Sequence, residues 1–290
     1  MKVLITGANG RIGHNLVQWL ADKHELVLLG QQPKASLAGH KYHQVDMTDK
    51  AQLNEVMAKE KPEAIVHLAA LLASTCASDP ELAHKINVNS SEYLAELATA
   101  NRVRVFVFAS SSAVYNQTEL APTDEEHNVD PKSVYGKTKL LAEKKLMAVS
   151  EHQQTKFISL RLFNIYGADF NESLVYQLLH STKEKPTVLF GPNNFYRDYV
   201  HISDICAAFE HSLSADTSPY EVLNIASGKV LNNQQLVEEL GENGASIYFE
   251  IKKNTPLSIS WANIGQSERV INWQPHTEIR GAIEEIINAR

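Results

Sequence analysis

The stretch TGANGRIG at residues 6–13 decides the fold of this 290-residue chain. It follows an apolar run at residues 2–6 and leads into a stretch with helical periodicity at residues 12–20. A short apolar run predicts a strand buried on both faces, whereas apolar residues at every third or fourth position predict a helix. The glycine-rich stretch therefore predicts a tight turn from a first strand into a first helix.

Short apolar runs and helix-period stretches alternate through the first half of the chain. Strands are predicted at residues 2–6, 26–29, 42–45, 64–68, 103–109 and 157–162, and helices at residues 12–20, 51–57, 81–100 and 133–150. Short strands separated by helices are typical of βαβ units on a parallel sheet. Since such crossovers are right-handed, we expect a doubly wound sheet of the Rossmann type.

The second half of the chain is less regular. Helices are predicted at residues 174–180, 203–213, 234–240 and 277–288, and strands at residues 188–190, 222–225 and, as the last one, 247–251. Helices and strands without regular alternation indicate a smaller mixed α/β lobe. We therefore predict an α/β protein with a Rossmann-type domain at residues 1–165 and a C-terminal lobe at residues 166–290. Segments near residues 197–226 are candidates to return to the first domain.

The composition excludes several classes of protein. Hydrophobic residues make up 43% and charged residues 21% of the chain, which is ordinary for a globular protein and excludes disordered and fibrous classes. The net charge is −7 and no basic cluster matches a run of phosphates, so we expect no nucleic-acid partner. We also expect no signal peptide, no membrane span and, with Cys76 and Cys206 far apart, no disulfide framework. These features favour a cytoplasmic protein.

The glycines of the first turn suit the binding of a pyrophosphate. Gly7 permits the tight turn, Gly10 lets a phosphate approach the positive end of the helix, and Gly13 lets the helix pack on the strand. A glycine-rich turn without any ligand is the alternative. The position between a strand and a helix favours a dinucleotide, although the GxxGxxG spacing is one residue longer than the usual GxGxxG.

A tyrosine and a lysine form a second candidate constellation. Tyr135 and Lys139 are four residues apart near the start of a predicted helix, which places them on one face. Because a phenol titrates near pH 10, its use as a base requires a neighbouring cation that favours the phenolate. The alternative is a solvated helix face. The segment SSSAVY at residues 110–115 follows a predicted strand, and its hydroxyls either join a site at the edge of the sheet or cap a turn.

Together these motifs resemble the NAD-dependent epimerase/dehydratase family, which acts on nucleotide sugars and belongs to the extended short-chain dehydrogenase/reductase superfamily. The resemblance covers nearly the whole chain. Besides the glycine turn, it is carried by SSSAVY at 110–115, YGKTK at 135–139, VDMTD at 45–49, HLAA at 67–70, RLFNIYG at 161–167, RDYVH at 197–201 and NIASG at 224–228.

The resemblance implies catalytic roles for three residues. Tyr135 would exchange a proton with a sugar hydroxyl while the nicotinamide ring exchanges a hydride with the sugar carbon. Lys139 would lower the pKa of Tyr135 and hold the nicotinamide ribose. Ser111 would hydrogen-bond the same sugar oxygen, and Ser112 is the weaker candidate for that role.

The resemblance also implies two sets of binding residues. The cofactor set consists of Gly7, Asn9, Gly10, Arg11, Ile12, Gly13, Asp46, Met47, Leu68, Ala69, Ala70, Asn87, Tyr135, Lys139 and Phe163. The set for substrate binding consists of Ser111, Ser112, Asn164, Asn171, Leu174, Phe190 and Arg197. For Asn87 the alternative is a helix-surface residue, and for Arg197 it is an ion pair with Asp198 or Asp204.

The chain departs from the family pattern at three places. Ser111-Ser112-Ala113 stands where dehydratases of the family carry Thr-Asp-Glu. The resemblance therefore disfavours dehydration, because the acid and base that eliminate water are absent. The second strand ends in Leu29-Gly30-Gln31-Gln32, without the acid that would bind the adenosine ribose of NAD, and Arg11 or Lys34 could instead meet the 2′-phosphate of NADP. Residues 252–256, Lys-Lys-Asn-Thr-Pro, replace a family RxGD stretch.

Three functions follow as hypotheses. The leading one is a nucleotide-sugar 4-epimerase that uses NAD, with NADP not excluded. The second is an NADPH-dependent reductase of a nucleotide 4-keto-6-deoxysugar, and the third is a dinucleotide sensor without catalysis. We expect a nucleotide-diphosphate sugar as substrate, a homodimer, and no metal site.

Overall fold

The structure, a computed structural model, describes residues 1–33, 39–252 and 255–288. The described residues form two compact units. The first contains residues 1–116, 128–161 and 206–223, and the second contains the described residues of 117–127, 162–205 and 224–290. The predicted domain boundary near residue 165 remains a proposal. Residues 206–223, which belong to the first unit, lie within the segment that the sequence suggested could return there.

The strands are β1 (Lys2–Thr6), β2 (Glu25–Gly30), β3 (Lys41–Gln44), β4 (Ala64–His67), β5 (Val105–Ser111), β6 (Lys156–Leu162), β7 (Asn164–Tyr166), β8 (Thr187–Phe190), β9 (Phe195–His201), β10 (Tyr220–Ile225), β11 (Val230–Asn232), β12 (Phe249–Lys252) and β13 (Ser258–Ser260). The helices are α1 (Arg11–Leu20), α2 (Lys50–Glu60), α3 (Ala73–Ser78), α4 (Pro80–His84), α5 (Ser90–Ala100), α6 (Val134–Ser150), α7 (Leu174–Leu179), α8 (Ile202–Ser214), α9 (Asn233–Glu242), α10 (Gly265–Ile271) and α11 (Ile279–Asn288). A π-helical turn spans Lys85–Asn89, and a 3-10 turn spans Ser112–Val114.

Seven of the strands in the described chain form one sheet, in the order β10-β6-β5-β4-β1-β2-β3. β1 pairs in parallel with β2 and β4, and the pairs β2–β3 and β4–β5 are parallel as well. The chain leaves β3 on one side of β1 and continues with β4 on the other side. The strand order therefore reverses at β1, and open α/β sheets bind ligands beyond the carboxyl ends of the strands at that point. The predicted Rossmann-type sheet with a smaller mixed lobe is confirmed.

The core of the first unit lies between this sheet and its helices. Strand residues such as Leu4 and Phe106 and helix residues such as Leu94 and Leu146 have no exposed surface and belong to one cluster. Fully burying each such side chain stabilises the fold by about 1.5–3 kcal/mol. At the surface of this unit, the indole N–H of Trp19 on α1 donates to Glu210 on α8 at 2.6 Å.

The second unit contains two smaller sheets among its described residues. β9 lies between β11 and β13 and also pairs with β7, while β8 pairs with β12. The core of this unit includes Tyr166, Leu178 and Ile283. Trp273 is 1% exposed, and its indole N–H donates to the carbonyl of Asp204 at 3.0 Å.

Two sequence predictions are corrected by these elements. The strand predicted at 247–251 is not the last one, because β13 follows it; three-residue strands such as β7 and β13 are too short to show a period. The helix predicted at 81–100 is interrupted by the π-helical turn, which the spacing of apolar residues does not reveal.

No helix of the described chain combines the length and the apolar character needed to cross a membrane.

Candidate active site

The glycine turn leaves no room for side chains at two positions. Gly7 has a φ of +67°, and a Cβ there would lie 2.7 Å from the backbone nitrogen of Ala69. A Cβ on Gly13 would lie 2.3 Å from the carbonyl oxygen of Gly7. Gly10 precedes α1 and supplies no side-chain cap, and the positive end of the helix dipole lies at this turn. This arrangement fits a pyrophosphate.

A chain of hydrogen bonds joins the ends of β1 and β4. The hydroxyl of Thr6 accepts from the backbone nitrogens of Leu68 and Ala69, both at 3.2 Å. Its proton is directed at Nδ1 of His67, 2.7 Å away. These bonds fix the predicted cofactor-lining backbone beside the glycine turn.

The same chain continues from His67 into the π-helical turn. The hydroxyl of Ser91 donates to the carbonyl of Asn87 at 2.9 Å, so Nε2 of His67 must donate to that hydroxyl, which lies 2.8 Å away. Burial, with a smaller contribution from the Lys139 ammonium, lowers the pKa of His67 to about 3. His67 is therefore neutral and acts as a structural connector.

Asn87 is buried and links two parts of the site. Its Oδ1 accepts from the backbone nitrogen of Leu71 at 2.7 Å, and its Nδ2 donates to the hydroxyl of Thr138 at 3.1 Å. Thr138 in turn donates to the carbonyl of Tyr135 at 2.9 Å. Since Asn87 is only 1% exposed, the interpretation as a helix-surface residue is wrong. A contact of Asn87 with a cofactor stays a prediction.

Close backbone packing brings Tyr135 to Ser111. Ser133 caps α6 by accepting from the nitrogen of Gly136 at 3.0 Å. A Cβ on Gly136 would lie 2.2 Å from the carbonyl oxygen of Ala113, so only glycine lets the first turn of α6 lie against the 3-10 turn. This close contact explains why a glycine follows Tyr135 in the YGKTK motif.

The hydroxyls of Ser111 and Tyr135 are hydrogen-bonded to each other. Ser111 Oγ accepts from the nitrogen of Ala113 at 3.2 Å, and this leaves its proton for the oxygen of Tyr135. Burial raises the pKa of Tyr135 to about 12, and the Ser111 hydrogen bond opposes that rise because it stabilises the phenolate. Ser112, the weaker candidate, begins the 3-10 turn and is partly exposed.

Lys139 lies behind this pair. Its ammonium donates to the carbonyl of Ala109 at the end of β5, at 2.8 Å, and lies 5.7 Å from the ring centroid of Tyr135. Burial lowers the pKa of Lys139 to about 8, while Cys76 and Glu143 act in the opposite direction. The ammonium is directed at the carbonyl of Ala109, and the lowering of the Tyr135 pKa by Lys139 stays a prediction.

Sequence reasoning missed a buried ion pair next to the serines. Arg161 on β6 donates to both oxygens of Glu143 on α6, at 3.0 and 2.7 Å, and to the hydroxyl of Tyr115 at 2.7 Å. Ser110 donates to the same carboxylate. The pair thus connects α6 to the end of β5. The available signal was the position of Glu143 four residues after Lys139, on the same helix face.

The remaining predicted cofactor residues of the first unit surround the glycine turn and β3. Arg11 and Ile12 begin α1. Asp46 Oδ1 accepts from the nitrogen and the hydroxyl of Thr48, at 2.8 and 2.9 Å, and so shapes the turn after β3. Met47 packs against the core. Lys34, proposed for a 2′-phosphate, and residues 253 and 254 of the replaced RxGD stretch lie outside the described residues.

Arg197, a predicted substrate residue in the second unit, is held by neutral groups. Its guanidinium donates to the carbonyl and hydroxyl of Ser258, at 3.0 and 2.8 Å, and to the carbonyl of Tyr196 at 2.8 Å. The alternative ion pairs are not observed in the described chain. Asp198 accepts from the backbone of residues 227 and 228, and Asp204 accepts from the backbone of residues 276 and 277.

The other predicted residues of the second unit lie on several elements. Asn164 on β7 donates to the carbonyl of Asp198 at 2.9 Å. Phe190 on β8 is 40% exposed, with the Lys252 ammonium 5.2 Å from its ring centroid. Phe163, predicted for the cofactor, is buried in this unit, and Asn171 and Leu174 flank the start of α7. Their roles stay predictions.

A doubly wound parallel sheet with a glycine-rich first turn defines the Rossmann class of proteins. Residues 3–226 match the NAD dependent epimerase/dehydratase family. The chain belongs to this family, as its motifs predicted.

Relatives and solved structures are similar over nearly the full length. The UDP-glucose 4-epimerase of Rhizobium meliloti is 25% identical, over 99% of this chain and 96% of its own. The structure of Thermotoga maritima UDP-glucose 4-epimerase with UDP-glucose has a TM-score of 0.87 at 21% identity and covers 100% of this chain and 98% of its own. The structure of Thermus thermophilus UDP-glucose 4-epimerase in complex with NAD has a TM-score of 0.84 at 23% identity, with coverages of 100% and 98%.

Proposed function

We propose that this protein is a nucleotide-sugar 4-epimerase that retains NAD. The observation that carries the proposal is the Ser111–Tyr135 hydrogen bond in front of the buried Lys139, within the unit that contains the glycine turn. The family and the names of the relatives, UDP-glucose 4-epimerases, support a UDP-sugar as substrate.

Each catalytic side chain has a distinct task in this proposal. Tyr135, as the phenolate, takes the proton of the sugar 4-hydroxyl and returns it after the 4-keto sugar has turned in the site. With the sugar bound, Ser111 would turn its proton from Tyr135 to the sugar 4-oxygen, while the nitrogen of Ala113 keeps the serine oxygen in place. Lys139 holds a positive charge beneath them. The chemistry that NAD supplies when bound is reversible hydride transfer at C4 of the sugar.

The glycine turn, Asn9 and the backbone at residues 68–70 would hold the dinucleotide. Asn164 and Arg197 would bind the diphosphate of the substrate. A guanidinium whose partners are all neutral keeps its full charge for a phosphate, which supports this role for Arg197. We retain the homodimer as part of the proposal.

Two measurements test the proposed function. Purified protein is denatured and any released dinucleotide is identified by mass spectrometry, and native protein is incubated with UDP-glucose and UDP-glucuronic acid while C4 epimers are followed by NMR. We expect bound NAD and conversion of one of these sugars without net oxidation. Stoichiometric consumption of NADPH with a 4-ketosugar would instead support the reductase.

Tyr135→Phe provides the mechanistic control. It removes the hydroxyl that moves the proton, so turnover should fall by about 10²–10⁴-fold while the fold and bound dinucleotide persist. Tyr248→Phe, a matched change in the second unit, should leave turnover unchanged. Normal turnover in Tyr135→Phe would contradict the assigned acid–base role.

A further inference from the structure

The hydroxyl of Tyr42 occupies the space that a side chain on Gly30, the last residue of β2, would take. Gly30 ends this strand, and a Cβ built on it would lie 2.5 Å from the hydroxyl oxygen of Tyr42 and 2.9 Å from Nδ2 of Asn9. Tyr42 lies on β3 with its Cα opposite Leu28, so its ring reaches along the sheet toward Gly30. The end of the second strand is where Rossmann-type sheets present an acid to the adenosine ribose. Here a phenol from the neighbouring strand and an amide from the glycine turn meet at that place.

The hydrogen bonds determine which atoms of this pair remain free. The Tyr42 hydroxyl donates to the carbonyl of Gln32, since a carbonyl only accepts. Asn9 must therefore present its Nδ2 to the Tyr42 oxygen, at 3.0 Å, and its Oδ1 faces the other way. Oδ1 of Asn9 is buried without a hydrogen-bond partner in the described chain. The Tyr42 oxygen keeps one lone pair as well.

Two acceptors without a formal charge thus lie beside the glycine turn with unused hydrogen-bonding capacity. A ribose hydroxyl can donate to such acceptors, whereas a 2′-phosphate carries only acceptor oxygens at neutral pH and would face them without a shared proton. On this basis, and given the dinucleotide of the proposed function, we propose that Tyr42 and Asn9 bind the adenosine ribose and select NAD over NADP. This pair replaces the acidic residue, and it provides the selectivity that the sequence Leu29-Gly30-Gln31-Gln32 left open.

Fragments of the cofactor test this pair without involving the nicotinamide ring. Protein freed of nucleotide is titrated by calorimetry with ADP-ribose and with 2′-phospho-ADP-ribose. We expect ADP-ribose to bind at least tenfold more tightly. Tyr42→Phe should weaken the binding of ADP-ribose by about fivefold to tenfold, which corresponds to the loss of one hydrogen bond. The affinity for 2′-phospho-ADP-ribose should change little.

A second variant reaches the same hydroxyl by a different route. Gly30→Ala places a methyl group against the far end of the Tyr42 side chain, which can move aside, so the protein should fold and ADP-ribose should again bind more weakly. Tyr248→Phe is the matched control and should leave both affinities unchanged. Circular dichroism of each variant verifies the fold.

The outcomes separate this inference from the proposed function. Equal or tighter binding of 2′-phospho-ADP-ribose overturns the inference, and so does an unchanged affinity of Tyr42→Phe for ADP-ribose. If the enzyme epimerises a UDP-sugar in either case, the proposed function stands without the inference. If neither fragment binds to the nucleotide-free protein, the dinucleotide site itself is refuted, and the proposed function with it.

Discussion

At the scale of single residues, the hydroxyl of Ser111 has two partners with different consequences. The nitrogen of Ala113 fixes its position, and Tyr135 receives its proton. Because the second bond stabilises the phenolate, the serine opposes the rise that burial causes in the pKa of Tyr135, which reaches about 12. Ser111 is therefore expected to influence the pH at which the enzyme works.

Ser111→Ala should raise the pKa of Tyr135 further. We expect kcat/KM at pH 7 to fall by about 10–100-fold and the rising limb of its pH profile to move to higher pH. The profile is measured with the sugar that the wild-type protein converts. Ser214→Ala, an exposed serine at the end of α8, is the matched control and should keep the wild-type profile. A uniform loss of rate at every pH would indicate that Ser111 only positions the substrate.

Arg197 allows a second test at this scale. Arg197→Ala removes a partly buried guanidinium held by Ser258 and Tyr196, so UDP should bind at least tenfold more weakly if the charge binds a diphosphate. Binding of ADP-ribose should change little. Arg280→Ala, which removes a surface pair with Glu239, is the control. Equal losses for both nucleotides would assign Arg197 a structural role instead.

At the scale of secondary-structure elements, the Glu143–Arg161 pair joins α6 to β6 beneath the serines. Both side chains are almost fully buried. Removing one partner of such a pair leaves an uncompensated buried charge, which costs about 3–5 kcal/mol, whereas an apolar replacement of both partners is often close to neutral. We therefore expect the pair to fix the position of α6 on the strands and to add little net free energy to folding.

A double-mutant cycle measures this coupling. Arg161→Met and Glu143→Leu should each lower the free energy of unfolding by about 3–5 kcal/mol, and the double variant should lose far less than their sum. Urea unfolding provides the values. The pair Lys145–Glu92, which joins α6 to α5 at the surface, serves as comparison and should contribute at most about 1 kcal/mol. Additive losses at the buried pair would contradict the coupling.

At the scale of the whole molecule, the buried side chains of His67 and Asp198 have opposite effects on the free energy of unfolding as the pH falls. The pKa of His67 is lowered to about 3, so the unfolded chain binds a proton below pH 6.5 that the folded protein refuses, and stability is lost as the pH falls. The pKa of Asp198 is raised to about 6 by burial. The folded protein therefore takes up a proton there first, which stabilises it over the same range.

His67→Gln should reveal the contribution of the histidine. Between pH 7 and pH 5 the wild-type protein should lose about 2 kcal/mol of unfolding free energy through His67, partly offset by Asp198, and the variant should lack that loss. The readout is the change between the two pH values and not the absolute stability. The exposed His152→Gln should retain the wild-type change. An equal loss in His67→Gln and the wild type would refute the assignment.

The sequence predicted features that depend on neighbours along the chain. The turn at residues 6–13 and the pair Tyr135 and Lys139 follow from local spacing, and the parallel sheet follows from short apolar strands alternating with helices. Features made by distant residues were out of reach. Tyr42 meets Asn9 only because β3 lies beside β2, and Arg161 meets Glu143 only because β6 lies beside β5, the strand that α6 contacts. No period or spacing encodes such pairs.

The placement of Trp19 and Trp273 gives the molecule an internal optical readout. The chain has three tryptophans, of which Trp19 lies in the first unit and Trp261 and Trp273 lie in the second. Trp273 is shielded from water, so its emission is blue-shifted, whereas the half-exposed Trp19 is open to aqueous quenchers such as iodide. If the second unit opens first, the red shift of Trp273 should precede most of the loss of helical circular dichroism, whereas the two changes should coincide in concerted unfolding. Fluorescence therefore distinguishes stepwise from concerted unfolding without any added label.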